Sequence, residues 1–270
     1  MPRRLFSLAH LSLIDSPPDE MVRIAAAAGF DLVDLRLAPA TPTDRVYDNV
    51  TLAALARALA PMVRDAGLKV WDVEIIRLND RTRPQDYLPL MEAAAHLGAS
   101  RMKLVCDAED PARASGLLSE FARTAAPFGL TLDLEYMVFS GVKTLNAALA
   151  VVKAADAANL KVLVDALHWA RAGAEDIRAA DPALLGYVQL CDAPATAPVG
   201  RDGLIAEART HRLPPGEGAL TLGALLEAMP QDCTASLEVP PLPGHDPLAH
   251  ARTLLAAARS VCAAHDRVAS

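Results

Sequence analysis

Eight short runs of strand-forming residues alternate with Ala/Leu-rich amphipathic segments along the whole chain, and few architectures tolerate that alternation. The runs are Leu5–Leu8, Leu32–Leu37, Lys69–Ile76, Arg101–Cys106, Leu130–Tyr136, Leu160–Asp165, Tyr187–Cys191 and Ala235–Val239. Most are short and rich in Val, Leu and Ile, as strands of a parallel sheet covered by helices must be. Between them, Met21–Ala28, Leu52–Ala66, Leu88–Leu97, Ala112–Ala126, Leu145–Ala158, Leu220–Met229 and Pro247–Ala264 repeat apolar residues at helical spacing. Gly29, Gly67, Gly98 and Gly129 stand where helices should end, a few residues before the next strand. Eight βα units are the number that closes a barrel, and 270 residues suit one. The expected fold is an α/β, (β/α)8 TIM barrel, with residues 1–270 forming a single domain. An open doubly wound sheet is the rival, but no strand is followed by GxGxxG or GxxxxGK[ST]. One long irregular stretch, Asp192–Gly218, follows the seventh strand. Loops after strands carry the site in a barrel, so its length is a functional signal.

Composition removes several classes of function. The net charge is −7 and the basic residues are scattered, which argues against a phosphate-backbone partner. Aromatics make up only 4% of residues, too few for a single-strand stacking platform. No apolar stretch reaches the roughly 18 residues a spanning helix needs, and no signal peptide is discernible. The four cysteines, Cys106, Cys191, Cys233 and Cys262, show neither CxxC nor zinc-like spacing. The expectation is a cytoplasmic protein with reduced thiols and no nucleic-acid or membrane partner.

The chemistry gathers at strand ends in the second half of the chain. LDLEYM ends on Glu135, VLVDALH on Asp165 and His168, YVQLCD on Gln189 and Asp192, and ASLEVP on Glu238. Strand C-terminal ends meet on one face of a barrel, so four adjacent strands deliver these groups into one crevice. Three converging carboxylates repel one another unless a cation or protons compensate. A hard divalent cation, Mg²⁺ or Mn²⁺, takes such oxygen ligands, with the Gln189 carbonyl as a neutral fourth. Co²⁺ and Zn²⁺ are less favoured where the set holds no His or Cys, although His168 lies close.

A strand-end Glu, then D-x-x-H, then V-Q-L-x-D, then S-L-E resembles the xylose isomerase-like sugar isomerase/epimerase superfamily. GFDLVDLR (Gly29–Arg36) is similar to that group's second strand, and the resemblance runs from there to SLEV (Ser236–Val239). It implies one divalent metal on Glu135, Asp165, Gln189 and Glu238. The usual epimerase carries His at the third position, where this chain has Gln189. YVQLCDAP followed by EARTHRLPPGEG (Glu207–Gly218) looks like the branch that contains bacterial 3-dehydroshikimate dehydratases. There the third ligand is Gln, and the histidine matching His168 is implicated in catalysis. Barrels of this group are often dimers or tetramers, so a homo-oligomer is consistent with the resemblance.

The reactions of such enzymes share one difficulty, the removal of a proton beside a carbonyl. A metal on the substrate oxygens stabilises the enediolate, and a carboxylate or imidazole must take the proton. Glu135, His168 and Glu238 are the expected catalytic groups, the two glutamates on opposite faces of the substrate and His168 as general acid or base. In a dehydratase His168 is the group expected to protonate the leaving hydroxyl. Arg209, Glu74 and Lys103 are the expected substrate contacts, with Arg36, Arg77, His211 and Arg212 behind them, and Lys103 equally fits a barrel-filling residue paired with a carboxylate; arginine suits a carboxylate or phosphate. The leading expectation is a metal-dependent isomerase or epimerase of a sugar or related keto-polyol, the substrate small and polar or acidic. The alternative is a lyase of the 3-dehydroshikimate or keto-inositol dehydratase type. A DNA-repair nuclease is disfavoured, because His10, His96, His211, His245, His250 and His265 form no cluster along the chain. A non-catalytic barrel would have no reason to retain three converging carboxylates.

Overall fold

The computed structural model describes residues 3–41 and 44–268, the side chains as far as residue 264. The side chain of His265 therefore lies outside the described residues. Eight parallel strands pair in chain order: β1 (Phe6–Leu8), β2 (Leu32–Arg36), β3 (Lys69–Leu78), β4 (Arg101–Cys106), β5 (Thr131–Glu135), β6 (Leu160–Asp165), β7 (Leu185–Leu190) and β8 (Ala235–Leu237). β8 closes on β1, with Ser7 opposite Ser236. The helices are α1 (Pro18–Ala28), α2 (Asn49–Asp65), α3 (Leu88–His96), α4 (Pro111–Ala125), α5 (Leu145–Ala155), α6 (Ala166–Arg171), α7 (Gly200–Thr210), α8 (Leu222–Ala228) and α9 (Pro247–Val268). Neighbouring helices pack side by side around the sheet, and α9 returns against α1. This is the closed (β/α)8 barrel that the eight strand–helix units imply. All four cysteines are buried, and no helix among the described residues is long and apolar enough to cross a membrane.

Local chemistry sets the element boundaries. Asp48, Asp110 and Thr144 each accept the backbone N–H three residues on, starting α2, α4 and α5. Gly29, Gly67, Gly98 and Gly129 all take positive φ, from 70° to 89°, the turn a side chain resists. α5 stops at Ala155, three residues before the expected end, because Asp156 adopts a left-handed φ of 47°. The stretch Asp192–Gly218 is a correction: it is not irregular throughout but contains α7. That helix, GRDGLIAEART, holds two glycines and buries only Glu207 and Ala208, so it presents no apolar stripe to read. α6 was not anticipated either, at six residues too short to show a period.

The barrel interior is unusual. Such interiors are mostly filled by branched apolar side chains. Here the apolar strand residues Val33, Leu35, Val73, Met102, Leu104, Leu132, Leu134, Val162 and Val164 belong to the main hydrophobic cluster, while polar residues two apart fill the lumen. In the lower tier Asp34 accepts from Ser7 Oγ at 2.6 Å and Ser236 Oγ at 2.5 Å. Tyr187 OH donates to Asp72 Oδ2 at 2.5 Å. Arg101 Nη1 lies 2.7 and 2.8 Å from the two oxygens of Asp133, with the guanidinium 4.8 Å from the Trp71 ring centre. Gly186 lets that pair in: a Cβ there would stand 2.0 Å from Asp133 Oδ1. Above this floor lie the groups that form the candidate site.

Candidate metal centre and catalytic pocket

The strand-end residues converge. Glu135 ends β5, Asp165 ends β6, Gln189 is the penultimate residue of β7, and Glu238 directly follows β8. Register sets Asp165 opposite Gln189. All four are at most 2% exposed. One oxygen from each of Glu135, Asp165 and Glu238 lies within 4.8 Å of the other two, so the three can hold a metal ion. Glu135 Oε1 and Gln189 Oε1 are buried acceptors without a hydrogen-bond partner. Orphaned oxygens of that kind are costly unless something donates to or coordinates them. An all-oxygen donor set with two vacant acceptors fits a hard divalent cation.

Two buried cations share this ground: Lys103, paired with carboxylates inside the barrel as the alternative reading of it had it, and Arg212, expected only as a substrate contact. Lys103, on β4, sits 2.6 Å from Glu74 Oε2, 2.9 Å from Glu238 Oε1 and 3.9 Å from Glu135 Oε2. Arg212 places Nη1 2.6 Å from Asp165 Oδ2 and Nη2 3.0 Å from Glu238 Oε2. Gln189 Nε2 adds a third donor to Glu238, at 3.1 Å. Burial alone would raise Glu238, but Lys103 and Arg212 outweigh it and hold its pKa near 2. Glu135 has no such clamp: burial, against the pull of Lys103 and reinforced by Glu238, pushes it up to about 8. Burial opposes the charge on Lys103, yet Glu238 and Glu74 keep its pKa well above the ordinary value.

His168 stands in the first turn of α6, where its backbone N–H donates to Asp165 Oδ1 at 3.0 Å. The D-x-x-H spacing is thus a helix N-cap, which fixes the imidazole relative to the carboxylate. Its Nε2 is 3.9 Å from Glu135 Oε1, and Phe139 meets the ring edge-on at 5.4 Å between centres. Burial lowers His168 to about 4, Asp165 pulling the other way, so the ring is neutral at pH 7. A neutral ring accepts protons.

A cavity of about 760 Å³ opens over these groups. Lys103, Glu135, His168, Arg209, Arg212 and Glu238 line it, together with His10, Arg36, Arg45, Arg77 and Phe139. Glu74, an expected substrate contact, is not on its wall. It lies behind Lys103 and pairs with Arg36 at 3.5 Å. Arg77 is partnered by Asp107 at 2.7 Å. His211 is exposed and absent from the lining. His10 is a pocket residue that sequence reasoning left unassigned. Its Nδ1 accepts from Arg36 N at 2.8 Å, so Nε2–H donates to Ser16 O at 3.0 Å.

The loop that presents Arg212 is built around Asp192. That carboxylate accepts from the backbone N–H of Ala193, Gly216 and Leu220 at 2.8–2.9 Å. Asp192 also bridges Leu213 through backbone bonds at 2.7 and 2.8 Å. Gly216 takes φ +88°, and a Cβ on Gly218 would lie 2.3 Å from Asp192 Oδ1. The PPGEG motif is therefore a backbone requirement of this turn, and Arg212 Nε is tied to Ala208 O at 2.7 Å.

A closed (β/α)8 barrel with a carboxylate triad at the C-terminal ends of β5, β6 and β8 defines a broad class of barrel proteins. Within that class the chain belongs to the xylose isomerase-like TIM-barrel family, whose model matches residues 22–258. Solved structures agree on the fold. The IolI protein, solved with a bound zinc atom, is 18% identical with a TM-score of 0.78, covering 97% of this chain and 99% of that one. D-psicose 3-epimerase from Clostridium cellulolyticum H10 is 15% identical, TM-score 0.69, covering 96% and 99%. The probable 3-DHS dehydratase AsbF from Bacillus anthracis is 16% identical, TM-score 0.69, covering 94% and 98%. A xylose isomerase-like barrel/4-hydroxyphenylpyruvate dioxygenase fusion protein is 20% identical with a TM-score of 0.77. This chain is covered to 95% in that match and spans 42% of the fusion protein. No curated protein matches the sequence significantly.

Proposed function

We propose that this barrel is a divalent-metal-dependent lyase that dehydrates a small anionic keto-polyol, 3-dehydroshikimate and keto-inositols being the classes to test. Glu238 carries the choice between lyase and epimerase. Epimerisation needs proton-transfer groups on opposite faces of the substrate. Glu238 already takes contacts from Lys103, Arg212 and Gln189 on both of its oxygens, so it is poorly placed to take a substrate proton. That leaves one competent face, where Glu135 and His168 lie together.

Glu135, Asp165, Gln189 and Glu238 would hold the ion. Bound there, a divalent cation supplies a Lewis acid that lowers the cost of negative charge on the substrate carbonyl. Neutral His168 takes the proton from the carbon beside that carbonyl and returns it to the hydroxyl leaving the adjacent carbon. The C–H and C–O bonds break, a C=C bond forms and water departs, so the ring ends as it began. Arg209 and Arg45 have no ion-pair partner among the described residues and stand on the cavity wall, suited to a substrate carboxylate. The lining carries six cationic side chains against four carboxylates, in a chain of net charge −7, so an anion is drawn to this mouth.

Isomerisation or epimerisation is the second reading. Glu135 and Glu238 both face the cavity, and the fold is shared with D-psicose 3-epimerase. The deciding experiment strips the protein of metal, reloads it with Mg²⁺, Mn²⁺, Co²⁺ or Zn²⁺, and offers 3-dehydroshikimate beside ketoses and keto-inositols. A dehydrated product that disappears with chelator is expected. His168→Ala should lose about 10²–10⁴-fold in kcat with metal content unchanged. Turnover at the wild-type rate in that variant removes His168 from the mechanism, and an epimerised sugar without elimination establishes the second reading.

A further inference from the structure

We propose that Lys103 is a built-in competitor of the metal, an ammonium group seated in the barrel so that it weakens and tunes divalent-cation affinity. The inference rests on the reading of Glu135, Asp165, Gln189 and Glu238 as the metal centre. Lys103 Nζ touches the triad at two of its three carboxylates, 2.9 Å from Glu238 Oε1 and 3.9 Å from Glu135 Oε2. Its side chain is 2% exposed, so solvent screens the charge little. Glu74 fixes it there at 2.6 Å, and Glu74 is itself held by the backbone N–H of His10 at 3.2 Å and by Arg36. The ammonium cannot swing away without giving up its close ion pairs with the buried Glu74 and Glu238.

The four proposed ligands consequently divide. Glu135 and Gln189 each keep an oxygen with no partner. Glu238 Oε1 is occupied by Lys103 and by Gln189 Nε2, and its Oε2 by Arg212. An ion entering the triad must share Glu238 with a positive charge a few ångströms away, and like charges at that range oppose binding strongly even at the effective dielectric of a protein. Lys103 differs from Arg212 in making no backbone hydrogen bond: Arg212 also fastens α7 through Ala208 O. Lys103 can therefore be replaced without loosening the seventh loop.

The test titrates Mn²⁺ into metal-free full-length protein and reads free Mn²⁺ by electron paramagnetic resonance. Wild type is compared with Lys103→Met and with the Lys103→Met/Glu74→Gln double variant, whose buried pair is neutral at both ends. Both variants should bind Mn²⁺ about tenfold tighter or better, the repulsion having been removed. The double variant guards against a stranded Glu74 acting as a new ligand or preventing folding. An unchanged or weaker affinity in the double variant overturns the role of Lys103, as does a gain seen in the single variant alone. Failure of all three chains to bind Mn²⁺ overturns the metal centre itself, and this inference with it.

Discussion

Asp72 shows what a polar barrel interior costs. It is fully buried, shares Tyr187 as a donor, and leaves Oδ1 without a partner. Burial, with Glu74 adding to it, raises its pKa from 3.8 to about 7. A carboxyl whose folded pKa lies above its unfolded value favours the native state below the unfolded pKa and loses that contribution as pH rises to the folded one. Asp72→Asn cannot titrate, so its stability relative to wild type should climb between about pH 4 and pH 7 and level off above. Thermal melts of both chains across that range measure it; a constant difference would show that Asp72 keeps its charge in the folded state. Glu135, Asp165 and Glu238 were legible as acids ending apolar runs, and His168 as the partner of a D-x-x-H step. Lys103 was legible as a charged strand residue that would meet either a substrate or a carboxylate, but not as to which carboxylates. Its partners Glu74 and Glu135 lie on other strands and Glu238 just beyond β8, and pairing at a separation of 135 residues leaves no local trace.

Between helices, one ion pair organises the seventh loop. Arg171 at the end of α6 meets Glu207 of α7 through two bonds, Nε to Oε2 at 2.8 Å and Nη2 to Oε1 at 2.6 Å. Arg171 also caps Pro194 O at 2.8 Å, and both side chains are nearly buried. This clamp ties the helix that carries His168 to the helix that leads into Arg209 and Arg212. Removing one partner strands the other charge, so Glu207→Ala should cost about 3–5 kcal/mol in urea unfolding. A loss below about 1 kcal/mol would mean that solvent reaches the guanidinium as at a surface pair. α7 escaped sequence reasoning because it buries only Glu207 and Ala208 and shows no apolar face.

The whole barrel places an overall acidic protein around a pocket lined by six cationic side chains, and the proposed metal binding would be coupled to folding. A ligand that binds only the native state stabilises it by about 2.7 kcal/mol at a hundredfold excess over Kd. For a chain this long that is a rise in melting temperature of roughly 5–10 °C. Mn²⁺ added to stripped protein should produce such a rise, EDTA should reverse it, and Asp165→Asn should abolish it. Melting curves that superimpose with and without Mn²⁺ would remove the ion from the account.

The order of the strands and of every helix but α6 and α7, the closure into eight units and the four convergent polar groups follow from the chain read linearly. Periodicity, glycine stops and strand-end acids are local properties, and parallel βα closure turns strand order into spatial order without further information. The compensation of charge is different in kind. Whether three carboxylates await a metal alone or already share Lys103 and Arg212 depends on side chains brought together from β3, β4, the seventh loop and β8. Only burial makes those pairings strong, and burial exists only once the barrel has closed.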